Sequence, residues 1–234
     1  MAIRVRPRSS PRERRASGGT ADWVNDSVDS FDTLQNATVD ILIGLMEARS
    51  YETARHAQRV GEMVRLVAGQ LAMDAGQTAL LAEASTLHDV GKLGLPDRVL
   101  LKAGPLTVDE REKMKLHTSL GHQMLAGTRV PLLEVAGVVA WTHHERHDGS
   151  GYPRGLRGLE IPVEGRITAV VDTFDALTNA RAYRPAYPIP AAARYLWSER
   201  DRLFDPEVVD AFQAVIDEVL ELRPDVARTT RVPA

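Results

Sequence analysis

Apolar residues recur three and four positions apart through most of this chain, and period-two alternation is rare, so the pattern predicts an all-α fold. Residues 37–50 (ATVDILIGLMEARS) and 53–72 each carry an amphipathic stripe, and Gly76 lies in a short link before the next helix. Residues 77–90 (QTALLAEASTLHDV) read as one largely apolar helix that delivers His88 and Asp89 near its C-terminal end, where Gly91 and Gly94 break it and Pro96 stops it. Thr107 stands three residues before Glu110, the spacing of a capping box, and opens a helix that presents His117. Pro131, a favoured first-turn residue, opens another that runs over 131–145 to His143 and His144. A Gly- and Pro-rich loop spans Asp148 to Pro162, followed by a helix over about 164–179 and closing helices near 189–200 and 206–221. There is no internal repeat. The pattern divides the chain into a disordered Arg-rich tail over residues 1–30, one helical domain over 31–225 and a flexible C-terminus over 226–234.

At 234 residues, with 44% apolar and 26% charged residues, the chain is large enough for one sizeable core and has the balance of a soluble globular protein. Its longest apolar stretch, around residues 130–141, is interrupted by Pro131 and Glu134 and falls short of the roughly 20 residues that span a bilayer. The Arg-rich start lacks the apolar run of a secretory signal, so a cytoplasmic protein is expected, with no membrane partner. The absence of cysteine excludes disulfides, zinc-thiolate sites and iron-sulfur clusters, and suits a reducing compartment. Charge is uneven. Residues 1–20 hold six arginines against Glu13, a net of +5, so the remainder of a chain whose net charge is −3 carries −8. An acidic domain of this kind is not expected to bind long nucleic acid, and an anionic ligand would have to be drawn by a local cation such as a metal.

All seven histidines fall between residues 56 and 147, mostly at predicted helix ends and beside acids. Imidazole and carboxylate without thiolate suit iron, manganese, zinc or nickel, and lean away from a closed structural zinc site. On a helix, the adjacent pairs His88-Asp89 and His143-His144 would point about 100° apart, so each could address two neighbouring metals. A multinuclear centre is the expectation.

Four segments carry a resemblance: HDVGKLGLPDRVLLKAGPLT, the spacing of His117 to Gly121, HHERHDGSGYPRGLRGLEIP, and GRITAVVDTFDALTNARAYR. Over residues 50–185 the chain resembles the HD-GYP group of HD-domain metal phosphohydrolases. The resemblance implies an all-α HD-domain bundle with a Gly/Pro-rich GYP loop, holding two or three divalent metals, commonly iron or manganese. It implies hydrolysis of cyclic di-GMP to 5′-pGpG and onward to GMP. Carried over by position, the metal ligands are His56, His88, Asp89, His117, His143, His144 and Asp172, with Glu52, one turn before His56, as a ligand of a third metal. Asp89 bridges, and Lys92 contacts the phosphate. Asp175, Arg181 and Arg184 correspond to nucleotide-binding positions, the Asp toward a guanine edge and the cations toward phosphate.

His147 and Asp148 are expected to order the loop by hydrogen bonds, with His147 close to the ligands, while Gly149, Gly151 and Pro153 permit a tight turn and Tyr152 braces it. His122 reads as a packing residue and Glu145 as a structural acid. The segment SERDRLFDP departs from the family's local pattern, which leaves that turn open. The family's GYP segment implies partners such as diguanylate cyclases or response regulators, and a homodimer is compatible with it. Two other readings stay open: a nucleotide-sensing or protein-docking module that has lost turnover, and a phosphodiesterase for another cyclic dinucleotide such as cyclic GMP-AMP.

Overall fold

A computed structural model of the protein describes residues 20–49, 54–180 and 185–222, with side chains from residue 33 onward. The elements are α1 (Thr20–Arg49), α2 (Ala54–Gln70), α3 (Ala75–Ser85), α4 (Asp97–Leu100), α5 (Val108–Leu125), α6 (Pro131–Thr142), α7 (Val163–Thr178), α8 (Ile189–Ser198), α9 (Pro206–Ala214) and α10 (Ile216–Glu221). Short 3-10 turns occupy Val90–Gly94 and Gly158–Glu160. No strand occurs among the described residues, and the fold is all-α as expected. The chain divides after Thr38 into two units. In the first, the described residues are helical from Thr20, so residues 20–30, assigned to a tail from sequence, lie in α1. The second, from Val39, contains the rest of the described structure.

Local sequence explains most helix boundaries. Asp74 caps α3 by accepting the Gln77 N–H at 2.9 Å. Thr107 and Glu110 form the expected capping box at the start of α5. Pro131 stands at the first turn of α6, and Pro206 at that of α9. Two predicted helices end early. The segment expected to be helical over 77–90 stops at Ser85, and His88 and Asp89 follow in tight turns before the 3-10 segment. The reason is tertiary: Leu87 and Val90 are buried in a cluster with Leu125, Leu132 and Ala136, so the apolar pattern continues although the helix does not. The segment expected over 131–145 stops at Thr142, leaving His143 as its cap. The last predicted helix, 206–221, is two, interrupted at Val215.

The larger core lies among α2, α7, α8, α9 and α10. Helix α2 buries Ala57, Val60, Val64, Val67 and Ala68 along one stripe, whereas α7 is buried nearly all round, through Ile167, Val170, Val171 and Phe174. Phe174 meets Phe212 of α9 with ring centroids 4.9 Å apart, and burial of each such side chain contributes about 1.5 to 3 kcal/mol. With α2 and α6 packed on it, α7 is the axis from which Asp172 and Asp175 project. Near the second cluster, Gly91 lets the 3-10 segment lie against α5, because a Cβ there would stand 1.9 Å from the His117 carbonyl oxygen. That close approach sets Asp89 beside His117.

A buried ion pair secures the C-terminal half. Asp205 caps α9, accepting the Glu207 N–H at 2.8 Å, and also accepts from Arg166 Nη1 at 2.6 Å; Arg166 in turn donates to the Ile161 carbonyl at 2.9 Å. Burial alone would raise the Asp205 pKa, but the bonds from Arg166 and the Glu207 N–H outweigh it and hold the carboxyl below its ordinary value. Asp205→Ala is expected to cost about 2 to 4 kcal/mol at pH 7, since it removes a cap and strands Arg166. Because the folded pKa is depressed, this contribution is complete above about pH 4 and is lost as pH falls through the lower folded value. Denaturant unfolding of both proteins should therefore show a constant gap between pH 7 and about 5 that narrows below about 4; a gap that persisted or grew in acid would refute the assignment.

Candidate metal centre

Four histidines carry out the same local chemistry. His88 directs Nδ1 at the Ser85 carbonyl (2.9 Å), His117 at Met114 (2.7 Å), and His143 at Val139 and Ala140 (3.1 Å each). A carbonyl only accepts, so each Nδ1 carries the proton and each Nε2 of the neutral ring is left with a lone pair. In His56 the acceptor is a carboxylate, Asp175 Oδ2, at 2.7 Å. The Nε2 atoms then converge in pairs, His56 with His88 and His117 with His143, each pair 3.4 Å apart. Two such lone pairs repel unless a cation lies between them. Nitrogens each about 2.0 to 2.1 Å from one ion at a tetrahedral angle stand about 3.3 to 3.4 Å apart, so the spacing suits a shared metal.

The acids complete two groups. Asp89, His117, His143 and His144 bring one ligand atom each within 4.8 Å of the others, and His56, His88 and Asp172 do the same. Asp89 faces both: Oδ1 is 3.2 Å from His117 Nε2 and 3.8 Å from His143 Nε2, while Oδ2 is 3.2 Å from His88 Nε2. Oδ1 is buried and has no hydrogen-bond partner among the described residues, the condition expected of an atom whose partner is a metal. Lys92 Nζ lies 2.7 Å from Oδ2.

Electrostatics keep the set ready for a cation. Burial would raise the Asp89 pKa, but Lys92 and His88 hold its carboxyl well below the usual range. Burial, reinforced by His144 and His88, pushes His143 well down; burial and His117 bring His144 down to about 3; and burial lowers His117 against the pull of Asp89. These rings stay neutral at physiological pH, as metal ligation requires. His88, Asp89, His117 and His143 are buried, whereas 14% of the His56 side chain and 17% of those of Asp172 and Lys92 remain exposed, so the site opens along that edge.

The GYP loop walls another side. Tyr152 packs its ring 4.9 Å from that of His144 and donates its N–H to the His144 carbonyl at 3.2 Å; burial and Asp89 raise its phenol pKa. The peptide between Tyr152 and Pro153 is cis. Glu145, buried, holds the loop with both oxygens, Oε1 accepting the Arg154 N–H (2.8 Å) and Oε2 the Leu156 N–H (3.0 Å). Gly151 is needed for contact, since a Cβ there would be 2.3 Å from the Arg146 nitrogen. Asp148 Oδ1 accepts the Ser150 N–H at 2.8 Å. His122 stacks on Trp141 at 4.2 Å, and the Arg154 guanidinium lies 4.8 Å from the Trp141 ring.

Several site expectations change. Asp175, expected to face a guanine edge, is 1% exposed and is occupied by His56, Arg59 and Asn179. His147, expected close to the ligands, turns instead to the segment SERDRLFDP: its N–H donates to Leu203 (3.0 Å) and its Nε2 lies 3.6 Å from Asp201 Oδ1. That divergent segment forms the seat of the loop. Glu52, Arg181 and Arg184 lie outside the described residues. Arg59 was missed, although it stands one turn after His56 and so shares its helix face.

A family model described as HD domain matches residues 40–208. The chain belongs to the HD domain family. Its HDGSGYP motif places it in the HD-GYP group. It is 44% identical over 184 residues to a cyclic di-GMP phosphodiesterase of Thermotoga maritima, covering 79% of this chain and 50% of that protein. It is 36% identical over 206 residues to 3′3′-cGAMP-specific phosphodiesterase 2 of Vibrio cholerae, covering 88% of this chain and 39% of that protein. The chain thus spans half or less of the length of these relatives. Its fold is similar to the Bd1817 HDG"Y"P protein of Bdellovibrio bacteriovorus, with a TM-score of 0.54 at 19% identity over 69% of this chain and 51% of that one. HD-domain phosphodiesterases bind divalent metals, and the two ligand groups of this HD domain could hold them. No described helix is long and apolar enough to cross a membrane.

Glu145→Gln tests how the HD-domain loop is held. An amide nitrogen would then face the N–H of Arg154 or Leu156, leaving a buried donor unpaired at a cost of about 1 to 3 kcal/mol. Thermal melting should show the loss; an unchanged midpoint would mean that Glu145 does not secure the loop.

Proposed function

We propose that this chain is a metal-dependent phosphodiesterase that hydrolyses cyclic di-GMP to 5′-pGpG and then to GMP. The observation that carries the reading is Asp89, whose two oxygens face the two ligand groups while Lys92 stands beside it. The ligand set assigned is His56, His88, Asp89, His117, His143, His144 and Asp172, with Glu52 for a third ion, and iron or manganese suits its oxygen and nitrogen donors. Divalent ions there supply Lewis acidity at phosphorus and water activated at neutral pH.

The chain's own residues supply the rest. His56, His88, His117 and His143 each spend Nδ1 on position and present Nε2 to the centre, so none of these four is left to act as general base. Lys92 places a positive charge where non-bridging phosphoryl oxygens gain negative charge. Tyr152, kept protonated, closes the wall by His144 and excludes water there. Water forms the new P–O bond, the P–O3′ bond breaks, and the freed 3′ oxygen takes a proton, which opens the ring to 5′-pGpG. The local cations also explain how a domain that is acidic outside its first 20 residues can take an anionic substrate. The filled ligand set argues against a module that only senses or docks. Cyclic GMP-AMP is the second substrate to test, because relatives named for either nucleotide match this chain.

The test is anaerobic purification, metal assay, and incubation with cyclic di-GMP or 3′3′-cGAMP, with products separated by ion-pair chromatography and an EDTA-treated control. EDTA-sensitive pGpG or GMP is expected. The double replacement His88→Ala and Asp89→Ala should abolish both metal and turnover, and Lys92→Met should lower kcat by about 10²- to 10³-fold with metal retained. Metal-loaded protein that left cyclic di-GMP intact would overturn the reading.

A further inference from the structure

The four Nδ1-anchored histidines of the centre are not held alike. Three are held by backbone carbonyls of their own segments: His88 by Ser85, His117 by Met114, and His143 by Val139 and Ala140. His56 sits in the first turn of α2, where the free backbone groups are N–H donors and not carbonyls. Its acceptor has to come from another element, and it is Asp175 of α7, 119 residues away, at 2.7 Å. Asp175 is itself fixed by a two-pronged contact from Arg59, Nε to Oδ1 at 2.7 Å and Nη2 to Oδ2 at 2.8 Å, and by Asn179 Nδ2 to Oδ2 at 2.9 Å. The fork geometry leaves the carboxylate one orientation.

We infer that Arg59 and Asp175 are positioning residues for one half of the centre: they lock the His56 ring with Nε2 toward His88 and Asp172, and set the affinity of that group for a divalent ion without setting that of the Asp89, His117, His143 and His144 group. Two properties follow from the chemistry. An anionic acceptor makes His56 a stronger donor than a carbonyl acceptor would. The fork also ties α2 to α7, the helix that bears Asp172, so the two elements that flank His88 are set relative to each other by the same contact. The other group has no such dependence, because His117 and His143 are anchored within their own segments. The two halves are therefore separable by substitutions that replace no proposed ligand.

The inference rests on the metal-centre reading, and the experiment separates the two. The full chain, stripped of metal and kept anaerobic, is titrated with Mn2+ by calorimetry and by electron paramagnetic resonance, with no nucleotide present. The parent protein is expected to bind at least two ions. Asp175→Asn, which keeps shape and loses charge, should weaken one class of site by about 10- to 100-fold and leave the other unchanged. Arg59→Met should do the same, and Arg59→Lys, which restores charge but not the fork, should recover part of the loss. Melting curves and the retained site report that each variant is folded. A parent protein that bound no Mn2+ would overturn the metal centre and this inference together. A parent that bound two ions, with both variants unchanged or weakened equally at both sites, would overturn the positioning role alone.

Discussion

The aim of His56, His88, His117 and His143 follows from the choice of Nδ1 as the anchored nitrogen. Once a carbonyl or carboxylate takes that proton, the remaining lone pair must point along the opposite edge of the ring, and the scaffold turns these edges inward until they face one another. For His88, His117 and His143 the acceptors are carbonyls three or four residues earlier in the same segment. Ser85 ends α3, and Val139 and Ala140 belong to the last turn of α6, so the ends of both helices carry the carbonyls that aim His88 and His143, with Ser85 and Val139 each accepting from both the ring and the backbone N–H of the same histidine.

Asp89 is the second constraint. Several neutral rings around one buried carboxylate give a negative site in a low-dielectric interior, which is costly unless positive charge answers it. Lys92 answers part of it from one side of the carboxylate, leaving Oδ1 facing His117 and His143. Gly91, between the two, lets the backbone pass so close to α5 that no side chain is tolerated. The HDVGK segment thus gathers an imidazole, a carboxylate that faces both groups, a close backbone contact and a cation within five residues.

This explains what was legible in the sequence. Caps and starts encoded by adjacent residues, such as Thr107 with Glu110 or Pro131, appear where the spacing puts them. The all-α architecture and the gathering of His56, His88, Asp89, His117, His143, His144 and Asp172 were readable from periodicity and from motif resemblance. What could not be read was decided across long separations. Ser85 ends α3 because Leu87 and Val90 turn into a core completed by residues 35 to 50 positions later. Asp175 serves His56 because Arg59, 116 residues earlier, claims both its oxygens. The segment SERDRLFDP looked anomalous by itself, and its purpose shows only against the loop it seats, through Arg202 and Leu203 carbonyls that accept from Asp148 and His147.

The GYP loop is pinned from three directions: by Glu145 beneath it, by those two carbonyls beside it, and by Arg154 over Trp141. A segment tied this way is a wall and not a lid, because opening it would break several buried hydrogen bonds at once. Beside that wall, His56, Asp172, His144 and Lys92 retain exposure. Lys92 is among them, so a cation stands beside Asp89 with part of its surface still open. The group whose geometry depends on a contact between helices thus holds two partly exposed members, His56 and Asp172, whereas the other group holds one, His144.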